Sequence, residues 1–204
     1  MTVSIWLSLL AVCLLGAMSP GPSLAVVAKH SLAGGRLHGI VTSWAHAAGV
    51  GVYALITLLG LAVVLKQSPL LFQGITYAGA GYLAYLGIRA LRSQGGVAAK
   101  LAAGKPASLL EAARDGAMIS ILNPKLALFF LALFSQYVAV GTEFGSRAII
   151  VATPLAVDGL WYTLIAVVLS SPKVLETLRS RAKMIDRLSG VVLILLALRV
   201  VIQV

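Results

Sequence analysis

Residues 3–28 read VSIWLSLLAVCLLGAMSPGPSLAVVA, an apolar run without a charge, interrupted only at Ser19-Pro20-Gly21-Pro22. A helix needs about 20 such residues to cross the hydrocarbon core of a bilayer, whereas the elements of a soluble core come in shorter runs. Five further runs follow, at 37–65, 69–91, 109–138, 148–170 and 185–204. They are continuous and do not alternate polar with apolar residues, which selects helices over barrel strands. The last is the least apolar, because Asp186, Arg187 and Arg199 trim it. The expected fold is all-α, a polytopic membrane protein of about six transmembrane helices.

Composition agrees. The chain has 204 residues, 60% of them hydrophobic and 11% charged, with a mean hydropathy of +1.00. Soluble domains stay near roughly 50% apolar. Spans and short loops use nearly the whole length, so no separate soluble domain fits. Ala17-Met18-Ser19 resembles a signal cleavage site, but no basic n-region precedes it and the apolar run continues past Pro22 to Ala28. It reads as a retained first helix. Cys13 is the single cysteine, which excludes thiol–disulfide exchange within the chain. His30, His38 and His46 are too scattered to form a metal motif, and no cofactor is expected.

The net charge of +10 does not indicate a nucleic-acid partner, because the basic residues gather in alternate loops. The first loop holds Lys29 and Arg36. The third holds Arg89, Arg92, Lys100, Lys105 and Arg114 at its edges, and the fifth Lys173, Arg179, Arg181, Lys183 and Arg187. The second and fourth offer only Lys66 and Arg147. Basic loops stay in the cytoplasm, so both termini are expected outside. The segment 93–107, SQGGVAAKLAAGKPA, reads as a flexible cytoplasmic linker between two halves, 1–92 and 108–204, of three helices each. An odd number of spans per half makes the second half enter from the opposite face, the arithmetic of an inverted repeat. Gly39, Gly49, Gly51 and Gly60, then Gly74, Gly79, Gly81 and Gly87, suit close helix packing. Leu175, Leu178, Ala182 and Ile185, set among basic residues in 174–187, predict an amphipathic surface helix.

The chemistry is expected where the helices break. Pro20, Gly21 and Pro22 interrupt the first helix, and Asn123, Pro124 and Lys125 interrupt the fourth at a comparable depth. Asn123 is placed to hydrogen-bond the loosened backbone. Freed backbone groups cannot face lipid; they line a cavity or are buried by protein. Inverted-repeat transporters place discontinuous helices at these positions. Half-helix N-termini suit a carboxylate and loosened carbonyls suit an ammonium, so a zwitterion would use both. Asp158 lies in the middle of the fifth span, where a lone carboxylate must be paired, protonated or wetted. Lys125 is its expected partner. Either the two form a structural ion pair between the halves, or Asp158 takes a proton or a substrate amine while Lys125 meets a carboxylate. His46, in the second span, reads as a buried histidine bonding a neighbouring helix, with proton relay as the alternative. Glu111, Arg114 and Asp115 mark the start of the fourth helix, where acids complement the dipole.

Taken in order, these motifs resemble the LysE/RhtB family of bacterial amino-acid exporters. The likeness rests on Ser19-Pro20-Gly21-Pro22, Ser31-Leu32-Ala33-Gly34-Gly35-Arg36, the glycine-rich segment 78–87, Asn123-Pro124-Lys125 with Phe129, Phe130 and Phe134, and Asp186-Arg187-Leu188-Ser189-Gly190. It covers essentially the whole chain. It implies an inner-membrane secondary transporter exporting amino acids or close derivatives by proton antiport, not an enzyme. Its partners would be an amino-acid-like solute, protons and membrane lipid, and self-association stays open. The first acidic residue of this chain is Glu111, and where some family members carry an acid in the second helix it has His46 and Ala47. The alternative is an exporter of another small solute or cation. A cation path would need several carboxylates or thiolates in the spans, and only Asp158 is central. An enzyme would need a nucleophile with a base or a metal set, and no such constellation is visible.

Overall fold

The computed structural model describes residues 1–94, 107–169 and 172–203. Most of the expected linker, 93–107, lies outside the described residues. Helices account for nearly all of the remainder, and each start has a local cause. Helix α1 (Val3–Met18) is capped by Thr2, whose hydroxyl accepts from the Ile5 amide at 3.4 Å. Helices α2 (Pro22–Gly34) and α4 (Pro69–Leu91) open on proline, whose missing N–H costs nothing in a first turn. Helix α3 (Arg36–Gln67) follows Gly35, at φ +83° a left-handed turn that suits glycine. Helix α5 (Leu109–Leu122) starts on a capping box in which Ser108 and Glu111 satisfy each other's backbone N–H. Helix α6 (Pro124–Phe134) opens on proline behind Asn123 and ends in a short 3-10 helix, Ser135–Tyr137. Then come α7 (Phe144–Leu169), α8 (Pro172–Ser180) and α9 (Ala182–Gln203).

Helices α3 and α7 are each long and apolar enough to cross a membrane alone. So are α1 with α2, and α5 with α6 and its 3-10 turn, as pairs bent by 63° and 53° at the two proline breaks. Length and composition thus mark up to four crossings. Helix α4, diluted by glycine and tyrosine, and α9 are the remaining helices of the expected six. The surface helix departs from expectation. It stops at Ser180 and not near 187, and α9 begins at Ala182. The earlier start is possible because Asp186 is buried with a hydrogen bond from the Ser93 hydroxyl, so the acid does not end the span.

The outside of the bundle is apolar. Leu7, Ile56, Leu70, Leu160, Leu195 and Ile202 are among many large side chains that point outward from the helices, as a lipid-facing surface requires. Polar groups turn inward. Buried Ser31, Thr42, Ser43 and Thr76 each donate to a carbonyl one turn earlier, at 2.7–2.8 Å. Helix α3 packs along both α5 and α7, and α4 along α9. An aromatic row from α6, with Phe130 and Phe134 centred 4.5 Å apart, fills the core beside Tyr53 of α3.

The two ends of the bundle differ. At the end bearing Lys29, Arg36 and Arg89, Asp115 of α5 binds Lys29 Nζ at 3.0 Å and His30 Nε2 at 2.9 Å. At the opposite end Trp6 Nε1 donates to Thr153 Oγ1 at 3.2 Å, the Ser8 and Tyr137 hydroxyls pair at 3.1 Å, and Arg199 donates to Ser8. These contacts sew α1 to α6, α7 and α9.

Glycines make the α4–α9 contact possible. A Cβ on Gly87 would lie 2.8 Å from the Gly190 carbonyl oxygen, and one on Gly190 would lie 2.6 Å from that of Gly87. Gly74, on the same helix as Gly87, has open space around its Cβ position. Gly87→Val is therefore expected to destabilise the fold by about 1–3 kcal/mol, as overpacking does, whereas Gly74→Ala is neutral or mildly stabilising. Thermal unfolding of the detergent-solubilised variants measures the difference.

Candidate functional site

The two helix breaks meet. Pro20 and Pro22 carry no amide hydrogen, and α1 ends at Met18, so the carbonyl of Ser19 is left without a helical partner. Lys125 Nζ, from the first turn of α6, donates to that oxygen at 2.7 Å. Gly21 faces the same side chain, where an added Cβ would sit 3.6 Å from Lys125 Nζ. Asn123 is the hinge on the other side. Its Oδ1 caps α6 by accepting from the Lys125 amide at 3.0 Å, and its Nδ2 donates to Ser23 Oγ at 3.1 Å in the first turn of α2. Each break thus supplies the polar partner that the other lacks.

A polar chain continues inward from Ser23. Its hydroxyl lies 2.8 Å from His46 Nε2 on α3, and His46 Nδ1 lies 2.7 Å from Asp158 Oδ2 on α7. His46 and Asp158 are 0% and 5% exposed, so both are shut off from bulk solvent. A neutral imidazole satisfies the whole chain. Asn123 donates to Ser23, the Ser23 hydroxyl donates to Nε2, and Nδ1–H donates to the carboxylate. The Tyr162 ring stands edge-on to His46, with centroids 5.3 Å apart.

The structure corrects one expectation. Lys125 is not the bonded partner of Asp158; that partner is His46, and the lysine holds a backbone carbonyl. The physical reason is local supply, because the break in α1 exposes an acceptor directly beside the lysine. His46 does bond neighbouring helices, and it reaches two of them, α2 and α7.

Two cavities adjoin the breaks. The inner one, about 30 Å³, is lined by Lys125, His46, Asp158 and Tyr162 with apolar walls from Phe129 and Phe130. It has room for a few water molecules. The second, about 340 Å³, lies toward the basic end between α4 and α9 and carries Arg89 and Asp186 on its wall. Ser19, Gly21, Asn123 and Lys125 line both. Of the residues singled out in the sequence, Gly21, Asn123, Lys125 and Asp158 border the inner cavity, whereas Pro20, Pro22 and Pro124 border the outer and not the inner. Ser23, Tyr162, Pro154 and the Ser19 carbonyl were not legible as members. Ser23 alone had a signal, as a hydroxyl directly after the break. Among the described residues, no three His, Cys, Asp or Glu side chains gather as a metal site.

Bent helix pairs that expose backbone to a buried polar cavity, inside an apolar shell, define a multi-pass membrane protein of the solute-translocating class. Comparison with known proteins agrees. The chain belongs to the LysE type translocator family, whose profile matches residues 14–204. It is similar to the threonine efflux protein of Escherichia coli strain K12, 30% identical over 196 residues that cover 91% of this chain and 92% of that one. It is also similar to the Bacillus subtilis membrane protein YrhP, 29% identical over 188 residues covering 86% and 88%. The threonine efflux protein of Salmonella typhi is 28% identical over 183 residues, 85% of each chain. No solved structure matches. The chain is therefore a transporter of a small solute and not an enzyme.

Removing the imidazole should expose how tightly the buried chain is coupled. His46→Ala leaves the Asp158 carboxylate without its bonded partner, and the loss expected is about 3–5 kcal/mol. In the His46→Ala/Asp158→Asn double variant much of that loss is recovered, with a coupling of about 1–3 kcal/mol. Thermal unfolding of wild type, both single variants and the double variant yields the cycle.

Proposed function

We propose that the protein exports an amino acid or a close derivative from the cytoplasm by exchange for protons, through the point where the two broken helices meet. The observation that carries this reading is Lys125, a cation bonded to a neutral carbonyl and bordering both chambers. A carbonyl is a weaker partner for an ammonium than a carboxylate is. An arriving substrate carboxylate displaces Ser19 from Lys125, and the released carbonyl and Asp158 then face the substrate ammonium. The N-termini of α2 and α6, both at this point, add partial positive charge on the carboxylate side.

Proton coupling is assigned to His46 and Asp158. The pair takes up one proton without moving heavy atoms, because the Ser23 hydroxyl can turn from donor to acceptor. A proton arriving from outside neutralises the hold of Asp158 on the ammonium and releases the substrate outward. Proton loss to the cytoplasm restores the site. In the inverted-repeat arrangement the second helices of the halves, α3 and α7, pack on each other, as do the third, α4 and α9. Such pairing of counterparts is what a two-fold relation between the halves predicts. The basic end then lies in the cytoplasm of the inner membrane, with both termini outside.

Inverted membrane vesicles with an acidic lumen provide the test. Labelled amino acids, threonine first because relatives bear that name, are expected to accumulate only while the gradient lasts. Asp158→Asn is expected to abolish gradient-driven accumulation. Undiminished proton-driven uptake in that variant removes Asp158 from the mechanism, and absence of flux for the whole panel overturns the export assignment. A reporter fused after Val204 is expected to be active only outside the cytoplasm, which fixes the orientation.

A further inference from the structure

The outer cavity holds a second set of opposite charges. Arg89 of α4 and Asp186 of α9 line it together, yet no salt bridge joins them among the described residues. Asp186 is only 6% exposed, and its bonded partner is the neutral Ser93 hydroxyl. A buried carboxylate so placed keeps most of its acceptor capacity and gains from a cation. Arg89 is exposed, with its planar fork available for a carboxylate. Both border a space of about 340 Å³, within the range of small-molecule sites. The inner cavity repeats the arrangement with Lys125 and Asp158, and Lys125 lines both.

We infer that the outer cavity is a loading site for a zwitterion, in which Arg89 takes the α-carboxylate and Asp186 the α-ammonium before the solute moves to Lys125 and Asp158. This inference rests on the export assignment above and adds a station to it. Two charges held apart on one cavity wall select solutes that carry both signs close together. An ester lacks the anion and a 2-hydroxy acid lacks the cation, so each loses one anchor. The Lys125–Ser19 bond then separates two binding steps along one path.

The test uses inverted vesicles, whose outer face presents the basic end, together with equilibrium binding of a labelled amino acid to the purified protein. Arg89→Gln and Asp186→Asn are each expected to raise KM about tenfold or more with kcat little changed. Arg89→Lys is expected to recover part of the loss. In wild type, the methyl ester and the 2-hydroxy acid compete far less well than the amino acid. The handicap of the ester should shrink in Arg89→Gln alone, and that of the 2-hydroxy acid in Asp186→Asn alone. A merely structural role would not produce this crossed pattern. Wild-type KM and unchanged handicaps in both variants overturn the loading site while leaving export intact. Should Asp186→Asn not fold, exposed Arg89 decides alone. Should wild type move no amino acid, the export assignment fails, and loss of amino-acid binding in Arg89→Gln still judges the site separately.

Discussion

The bond between Lys125 and the Ser19 carbonyl is the contact on which the centre of the molecule depends. In lipid a backbone group without a partner costs several kcal/mol, so a helix can be interrupted only where something else satisfies it. The two breaks solve the problem mutually. Lys125 supplies a donor to the first break, and Asn123 caps its own helix while reaching Ser23 across the gap. Neither interruption would be tolerable alone at that depth. The bends of 63° and 53° follow from this joint satisfaction and create the cavities on either side.

Around that centre, stability comes from packing of small residues. Without a hydrophobic drive between helices in lipid, backbones must approach closely enough for dispersion to act. Gly87 against Gly190, and Gly116 against the Thr42 backbone, provide such approaches. Hydroxyls of Ser31, Thr42 and Ser43 bond their own helix and so are satisfied without water. His46 is the exception, since it ties three helices through side chains alone and concentrates the polar cost at one point.

Much of the fold was legible because hydropathy acts over whole segments. Continuous apolar runs announced the helices, and the prolines of Ser19-Pro20-Gly21-Pro22 and Asn123-Pro124-Lys125 announced the breaks. The partnership of Lys125 with Asp158 was misjudged for a reason of scale. Sequence shows which charges lie at similar depth, but bonding is decided over a few ångströms by which acceptor the fold delivers. The Ser19 carbonyl has no side-chain signature at all. Tyr162 and Pro154 were illegible for a related reason, because helical periodicity is weak where both faces of a span are apolar. Asp186 was read as trimming the apolar stretch of the last span, and its burial with a bond from Ser93 goes with a helix that begins earlier, at Ala182.

The neutrality of the Ser19 carbonyl has an electrical consequence. An ion pair moving through a membrane carries no net charge, but an ammonium held by a carbonyl remains a full positive charge inside the field. Moving one elementary charge across the whole membrane involves about 2.3 kcal/mol per 100 mV, and a partial displacement involves the corresponding fraction. Any motion of Lys125 along the membrane normal therefore does work on the membrane potential. Before a solute binds, that work is that of an unaccompanied cation. A zwitterion riding with the lysine would add no net charge, so the loaded site would carry that same single charge across the same distance. The membrane potential would thereby act on the empty and the loaded protein alike, through a single side chain.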